Sequence, residues 1–329
     1  MKIKKILFVG HSLSSFAKPI VRNLRKLGYD VDFFDHYSPN FLSRGAGFIR
    51  NAISPISIQF DKFLSAYTNN ELVRKTTSFE PDLVLLFKAK NIEIPTIKTI
   101  RRKGFIVANW YPDYYDDWTW IKSHAKSYDY FFTPCEYIRN MLQKEGIKSY
   151  YVPFAAEADE SFRVNFKKYQ VSFVGRYTER RDKLFKDVFD AGVLDIWGYQ
   201  HWQSSDYKSK YHGPLSAEET KDVIRQSKIT INTLTGTEET PILSINLRIF
   251  EATGVGGFVL TSYHPPLEEF YRINKEIVCF KTAAEALEKA IFYLKHDSIR
   301  SKIARNGWDR TSKDNTYEVR LRQLLKFIH

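Results

Sequence analysis

The sequence predicts an α/β protein with two doubly wound, Rossmann-like domains that face a cleft. Short apolar runs alternate with amphipathic helical stretches, which is typical of βαβ units and parallel sheets. This pattern stops in a stretch expected to be a linker, 154–168, and then starts again. A chain of 329 residues is long enough for two cores of ordinary size.

The first half of the chain reads as about six βα units. Residues 4–9 predict the first strand, and a helix over 16–27 ends at Gly28, a residue suited to helix C-termini. Later strands are predicted at 29–34, 81–87, 105–109, 128–133 and 149–152, with helices over 58–78, 95–103 and 136–144. The predicted domain covers residues 1–165.

The second half repeats the alternation over residues 166–312, and a last helix lies within 313–329. Strands are predicted at 170–176, 194–198, 229–232, 257–260 and 277–280, with helices over 217–226, 283–295, 298–307 and 316–328. A further helix is expected to begin at Pro241–Ser244, because Pro has a preset φ and Ser is a good N-cap. A helix N-terminus that follows a strand favours anion binding, since its backbone N–H groups and its dipole point at the ligand.

The charge balance favours acidic partners. Fifty Lys and Arg against 38 Asp and Glu give a formal charge of +12, which suits nucleotides or anionic lipid surfaces. No zinc-finger spacing or aromatic–basic RNA-binding signature is present, so we expect no nucleic-acid partner. The segment 40–53 mixes Phe41 and Phe48 with Arg44 and Arg50. It is either a basic amphipathic membrane contact or an ordinary mobile loop.

Several features of the sequence favour a cytoplasmic protein. The apolar run at the N-terminus stops at Gly10, which is typical of a buried strand and not of a signal peptide. No stretch approaches 18 uninterrupted apolar residues. Cys135 and Cys279 are far apart, which argues against a disulfide framework.

Other familiar chemistries are absent from the sequence. The eight histidines show no metal-ligand spacing, and Asp30-Val31-Asp32 is read as the beginning of a strand, so no metal is predicted. The turn after the first strand lacks G-x-G-x-x-G, and neither a Walker loop nor a G-x-S-x-G elbow occurs. We therefore expect no cofactor and no thiol or serine nucleophile.

Two residues of the first half are candidates for acid–base chemistry. His11 follows the first strand and Asp113 follows strand 105–109, and ligands of open α/β sheets bind at the carboxyl ends of strands. A histidine that only caps or packs in its loop is the alternative for His11.

The second half contains a candidate phosphate site. Gly175 allows close backbone approach, and Arg176, Arg180, Arg181 and Lys183 supply cations near the predicted helix N-terminus. A solvated helix face is the alternative for at least one of these cations.

Glu251 lies about two turns into the helix that follows Pro241–Ser244. Its carboxylate is able to accept two hydrogen bonds from the vicinal diol of a ribose. An ordinary i,i+3 pair with Arg248 is the alternative.

At this point the second half resembles the donor domain of GT-B glycosyltransferases, and more specifically the spore-maturation (CgeB-like) branch. The resemblance covers about 170–329 and weakens over 1–165, where Trp110-x-x-Asp113 supports it. The matching segments are 171–176, 194–198, 211–215, 227–232, Asn246-x-Arg248-x-Phe250-Glu251-Ala252, 303–307 and the closing helix with Arg320.

The resemblance implies a nucleotide diphosphate sugar as co-substrate, bound by the second domain, and an acceptor held by the first. It also implies that the final helix crosses back to the N-terminal domain. The implied donor-binding residues are Gly175, Arg176, Arg181, Tyr211, His212, Gly213, Thr240, Pro241, Ser244, Asn246, Arg248 and Glu251. One position departs from the pattern: many retaining members have a glutamate where this chain has Leu243, which leaves inversion or retention open.

These observations predict a metal-independent GT-B glycosyltransferase. It would move a sugar from a nucleotide diphosphate sugar to a glycan, lipid-linked or protein acceptor, at the cytoplasmic face of an anionic membrane or in the cytoplasm. A GT-B-like nucleotide-sugar epimerase or hydrolase is one alternative, and a non-catalytic nucleotide-sugar binding protein is another.

Overall fold

A computed structural model describes residues 2–37, 56–113, 118–159, 167–204, 206–233 and 244–328. The predicted membrane segment 40–53 lies outside these ranges, as do Thr240, Pro241 and Leu243.

The chain divides into two compact units. Unit 1 comprises Met1–Pro153 together with Arg320–His329, and unit 2 comprises Phe154–Val319. The predicted domain limits at 165 and 312 differ somewhat from these limits and stay predictions.

Unit 1 contains a parallel sheet of six strands. The strands are β1 (Lys5–Gly10), β2 (Asp30–Asp35), β3 (Leu83–Phe87), β4 (Ile106–Trp110), β5 (Tyr130–Thr133) and β6 (Ser149–Tyr151), in the spatial order β2-β1-β3-β4-β5-β6. The helices between them are α1 (Ala17–Lys26), α2 (Ile56–Phe79), α3 (Ile94–Arg102), α4 (Trp118–Ala125) and α5 (Glu136–Lys144). The chain moves outward from β1 to β2 and then returns to β3 on the other side of β1.

The core of unit 1 lies around its central strands. Ile6, Leu7, Phe8 and Val9 of β1 are fully buried, as are residues 83–86 of β3. Strands of a parallel sheet are covered on both faces, which explains why these runs are continuously apolar. The point where the strand order reverses, between β1 and β3, is the place where such sheets bind ligands.

Unit 2 contains a second parallel sheet, of five strands. They are β7 (Tyr169–Val174), β8 (Leu194–Trp197), β9 (Ser227–Asn232), β10 (Val259–Ser262) and β11 (Val278–Phe280), in the order β11-β10-β9-β7-β8. The helices are α6 (Glu179–Asp190), α7 (Ala217–Arg225), α8 (Leu247–Gly254), α9 (Leu267–Phe270), α10 (Ala283–Lys295), α11 (Asp297–Asp314) and α12 (Tyr317–Lys326), the last of which enters unit 1. Two parallel, doubly wound sheets confirm the predicted fold class.

Two local predictions were wrong. The helix expected to start at Pro241–Ser244 begins at Leu247, with Asn246 as its N-cap. The linker expected from residue 154 is part of unit 2 over its first residues. Ala156 is buried there, and its N–H donates to the carbonyl of Asn315 at 3.1 Å. The sequence pattern did not indicate this packed segment, because its apolar residues are small and lie among polar ones. Their contact partners are also distant in sequence.

Candidate active site

The carboxyl edge of the sheet in unit 2 brings most of the predicted donor-binding residues together. Gly175 and Arg176 follow β7, Thr233 follows β9, and Ser262 ends β10. Helices α6 and α8 begin at the same edge. Thr178 caps α6, since its hydroxyl accepts a hydrogen bond from the backbone N–H of Arg181. Two helix N-termini at one sheet edge form a favourable environment for an anion.

Gly175 is held in close backbone contact with the end of β8. Its N–H donates to the carbonyl of Trp197 at 2.9 Å, and its carbonyl accepts from Nε1 of Trp202 at 2.9 Å. A Cβ added at Gly198 would lie 2.0 Å from the carbonyl oxygen of Gly175. The turn after β7 therefore has a fixed shape that needs a glycine at position 198.

Arg181 is 6% exposed, and its guanidinium is bonded within the protein. Nη1 donates to the carbonyl of Arg176 at 2.7 Å and Nη2 to the carbonyl of Thr233 at 3.4 Å, while the group lies over the ring of Phe173. Arg181 thus joins the ends of β7 and β9. Its neighbour Arg176 is exposed, and its guanidinium makes no hydrogen bond to any part of the chain that the structure describes.

Asn246 organises the start of α8 through its side chain. Nδ2 donates to Oδ1 of Asn232 at 3.2 Å and to the carbonyl of Thr233 at 3.3 Å. Asn232 in turn donates to the hydroxyl of Thr261 at 3.0 Å. Asn246 makes no side-chain cap, and Ser244 donates its hydroxyl to the carbonyl of Ile245. The α8 N-terminus is consequently held against β9, with its first backbone N–H groups free of side-chain caps.

Glu251 forms the ion pair that the sequence offered as an alternative. Its Oε2 lies 2.5 Å from Nη1 of Arg248, and the two side chains are 15% and 23% exposed. Burial, and to a lesser degree the charge of Glu251, raise the pKa of the Tyr317 phenol well above its usual value. A carboxylate that is mostly buried and paired on one oxygen retains a second oxygen for another donor.

Tyr211, His212 and Gly213 lie beside the edge strand β8. The hydroxyl of Tyr211 donates to the carbonyl of Gly198 at 2.9 Å, and the carbonyl of Gly213 accepts from the N–H of Gly198 at 2.9 Å. The ring of His212 stacks on Trp197, and Nε2 lies 2.7 Å from Oδ1 of Asp195. His212 is thus an accessible aromatic surface with a fixed orientation.

His264 is a residue of this edge that the sequence analysis missed. It follows β10, and its Nε2 is buried without a hydrogen-bond partner among the described residues. Burial, assisted by the charge of Arg180, lowers its pKa to about 4. The rule that found His11, a polar residue directly after a buried strand, also applies to His264.

In unit 1, His11 lies at the carboxyl edge of the sheet beside a carboxylate from the next strand. Nδ1 of His11 is 3.7 Å from Oδ1 of Asp35, and the side chains are 35% and 12% exposed. The backbone N–H groups of Ser12 and Tyr37 donate to Asp35 at 3.3 and 2.9 Å. Asp35, which the sequence analysis also missed, is therefore fixed beside the His11 ring, and Nδ1 of His11 makes no hydrogen bond to the described residues.

His36 lies next to this pair but is closed off. It is 3% exposed, its Nδ1 donates to Oδ1 of Asn91, and Asn91 donates back to the carbonyl of His36 at 2.7 Å. Burial lowers the pKa of His36 to about 4. A neutral, buried imidazole of this kind supports the loop that contains His11.

Asp113, the other candidate base, is engaged by a lysine. Its Oδ2 lies 2.6 Å from Nζ of Lys88, which follows β3. Lys88 and Ala89 have φ values of 61° and 46°, in the left-handed region that residues with a Cβ rarely adopt. Strained residues of this kind persist only where the surrounding structure holds them in place, and they are frequent at functional sites.

Comparison with known proteins reveals a family for the second half of the chain. Residues 180–326 match a family described as "Glycosyl transferase-like". No curated protein sequence matches the chain.

Solved structures are similar over almost the whole length. Sucrose-phosphate synthase from Thermosynechococcus elongatus is 12% identical with a TM-score of 0.67, covering 98% of each chain. HepE (Alr3699) of Anabaena, solved in complex with UDP and glucose, is 11% identical with a TM-score of 0.61, covering 99% of each chain. A UDP-N-acetylglucosamine 2-epimerase is 12% identical with a TM-score of 0.58, covering 98% of this chain and 95% of its own.

The chain has the GT-B fold, and residues 180–326, somewhat less than half of it, match a glycosyltransferase-like family. The family match begins in the first turn of α6 and ends at the last residue of α12, so it includes Arg181, Asn246 and Glu251 of this edge. Among the described residues, no three His, Cys, Asp or Glu side chains are grouped so that they could hold a metal ion. Within the same part of the chain, no helix is long and apolar enough to cross a membrane.

Proposed function

We propose that this protein is a glycosyltransferase that binds a nucleoside diphosphate sugar at the carboxyl edge of unit 2. The single observation that best supports this is the joint placement of Arg176, Gly175 and the uncapped N-terminus of α8 at one edge. A diphosphate needs such a set of backbone N–H groups and a guanidinium. Glu251 would accept hydrogen bonds from the ribose with the oxygen that Arg248 leaves free, and His212 would lie near the base.

The cations at this edge have different proposed tasks. Arg176 would contact the diphosphate directly, because its guanidinium is exposed. Arg181 would shape the site, since its guanidinium is bonded to two backbone carbonyls. Charge that develops on the leaving diphosphate would be stabilised by Arg176 and by the α8 N-terminus, groups already in position before the reaction.

For the acceptor side we propose a single displacement with His11 as the general base. Asp35 faces Nδ1 of His11, which favours the tautomer with its proton on Nδ1 and a free lone pair on Nε2. The acceptor hydroxyl would lose its proton to Nε2 as its oxygen bonds to the anomeric carbon. The bond from that carbon to the diphosphate oxygen breaks, and the nucleoside diphosphate leaves. The configuration at the anomeric carbon would therefore be inverted.

Asp113 remains the second candidate base. Its carboxylate is already paired with Lys88, and a base that must first leave an ammonium group is less suited to take a proton. We propose that Asp113 and Lys88 position the acceptor.

We also propose a setting for this activity. The motifs shared with the spore-maturation (CgeB-like) branch and the basic charge support a role in cell-surface glycoconjugate biosynthesis on glycan, lipid-linked or protein acceptors. The enzyme would act in the cytoplasm, peripherally at the inner face of the membrane, without a cofactor or metal ion and without nucleic acid.

The runner-up is a nucleotide-sugar epimerase or hydrolase, which the similarity to a 2-epimerase favours. Incubation with a panel of nucleoside diphosphate sugars, UDP-sugars first, separates the possibilities by mass spectrometry and NMR. Transfer predicts nucleotide release that depends on an acceptor, with an inverted product. Release that needs no acceptor would indicate a hydrolase, an isomerised donor would indicate an epimerase, and binding without turnover would contradict enzymatic activity.

A further inference from the structure

The amino edge of the sheet in unit 1 contains a surface cavity of about 530 Å³. It is lined by Lys98, Arg101 and Arg102 of α3, by the turn 104–106 that leads into β4, and by Asp129 before β5. His11 and Asp113 follow the opposite, carboxyl ends of β1 and β4. The cavity is therefore separate from the proposed catalytic residues of the same unit.

Two carboxylates at this edge, near the starts of β5 and β6, are already neutralised. Asp129 accepts from Arg101 through Nε at 2.8 Å and lies 2.6 Å from its Nη2. Glu145 lies 2.7 Å from Nζ of Lys122. Arg101 and Lys122 thus complete the local ion pairs and leave no free carboxylate among these residues.

The remaining cations are in excess. Six exposed side chains make no ion pair within the described part of the chain: Lys98, Arg102, Lys103, Lys126, Lys144 and Lys148. Cations in the last turn of a helix complement its dipole, which accounts for some of those in α3. The same reason applies to Lys126, which directly follows α4, and to Lys144, which ends α5, but it does not account for Lys148 in the turn before β6.

Apolar side chains lie among these charges. Phe105 and Ile106 are half-buried, and they follow Gly104, whose φ of +93° turns the chain at the surface. Lys148 also places its ammonium group 4.0 Å from the centre of the Tyr130 ring. Cations that surround partly exposed apolar residues are typical of surfaces that contact a lipid interface.

We infer that this basic amino edge, formed by the six unpaired cations with Phe105 and Ile106, is a docking surface for anionic phospholipid headgroups. The net positive charge matches the headgroups, and the apolar turn matches the boundary between headgroups and acyl chains. The inference deepens the peripheral membrane association proposed above and rests on it for its biological setting. It does not depend on glycosyl transfer.

The test is flotation of the full chain with vesicles of phosphatidylcholine containing about a third phosphatidylglycerol. The variant combines Lys98→Gln, Arg102→Gln and Lys103→Gln. The control combines Lys186→Gln, Lys208→Gln and Lys313→Gln, exposed positions of unit 2 that remove the same charge. Each cation near an anionic surface contributes about fivefold in affinity, so the first variant should partition roughly a hundredfold more weakly. The control should bind nearly as the wild type does.

Further arms identify the partner. Binding should fall steeply with added NaCl, and Phe105→Ser should weaken binding to the same vesicles at constant charge. Equal binding by both triple variants, or equal binding to neutral and anionic vesicles, would overturn the inference. The inference would also be overturned if the wild type bound a 30-nucleotide single strand more tightly than the vesicles at the same salt, and if the first variant lost that binding. A nucleotide-release assay on the same variants shows separately whether the glycosyltransferase proposal holds.

Discussion

At the scale of single residues, the proposed role of His11 as a general base depends on a residue of the neighbouring strand. Asp35 is the last residue of β2, and parallel pairing places it beside the end of β1, where His11 follows. We predict that His11→Gln lowers kcat by roughly 10²–10⁴-fold, because the amide cannot accept the proton. Asp35→Asn should also lower kcat, since it removes the group that selects the tautomer.

The affinity for the nucleoside diphosphate should stay unchanged in both variants, which calorimetric titration measures. His201→Gln, an exposed position in unit 2, is the control. Near-normal turnover of His11→Gln together with a large loss in Asp113→Asn would assign the base to Asp113.

Glu251 is tested by its effect on the donor. In Glu251→Gln one charge-assisted acceptor is lost, and such bonds contribute about 1.5–3 kcal/mol each. Donor affinity should therefore drop by roughly tenfold to a few hundredfold. The pair with Arg248 is mostly buried, so we also expect a loss of about 1–2 kcal/mol in unfolding free energy.

Titration calorimetry and thermal melts of Glu251→Gln measure both effects, beside the exposed control Glu288→Gln. A lowered melting temperature with unchanged donor affinity would remove Glu251 from the site.

The buried His36 predicts a pH dependence of stability. The pKa of His36 is about 4 in the folded protein, below the unfolded value of 6.5. The stability that neutral His36 contributes is thus fully present above pH 6.5 and is lost as the pH falls from 6.5 to about 4. The amount is about 3 kcal/mol. His36→Gln, whose amide cannot gain a proton, should show a shallower loss of unfolding free energy over this range, measured by urea titration. A pH profile identical to that of the wild type would contradict this assignment.

At the scale of elements, helix α11 depends on a glycine. A Cβ at Gly307 would lie 2.4 Å from the carbonyl oxygen of Glu276. The carboxylate of Glu276 is held by Arg272 and Arg310, so this segment has little freedom to move. We predict that Gly307→Ala destabilises the protein by about 1–3 kcal/mol, despite the better helix propensity of alanine.

The matched control for Gly307→Ala is Lys302→Ala, at an exposed position of the same helix. Its melting temperature should be close to that of the wild type. A Gly307→Ala variant as stable as Lys302→Ala would show that the helix can shift away from Glu276.

At the scale of the whole molecule, the proposed donor site predicts where a nucleotide protects the backbone. If UDP binds the carboxyl edge of unit 2, hydrogen exchange should slow in peptides that contain Gly175, Thr233 and the first turn of α8. Peptides of β1 and β3 should be unaffected. At a UDP concentration of 100 times Kd, the free energy of unfolding should be about 2.7 kcal/mol higher than that of the protein without UDP. Protection confined to unit 1 would contradict the assignment of the donor to unit 2.

Much of this architecture was predictable from local patterns. The two parallel sheets follow from apolar runs separated by helical stretches, and the prediction that His11 and Asp113 follow strands β1 and β4 is confirmed. The glycosyltransferase prediction is supported by the family match, because the ordered motifs from 194–198 to 303–307 lie within the matched residues 180–326. The donor and catalytic roles of individual residues stay predictions.

The sequence by itself determined the fold class, the strand order along the chain and the edges where polar residues collect, because periodicity and turn residues act over a few positions. Only the tertiary structure decided which of those residues meet. Asp35 lies beside His11, Lys88 holds Asp113, and Arg181 is bound to the carbonyls of two strands. The start of α8 at Leu247 was decided in the same way, because Asn246 bonds to β9. These contacts join segments that are far apart in sequence or come from different strands, and their energies depend on burial that no local pattern encodes.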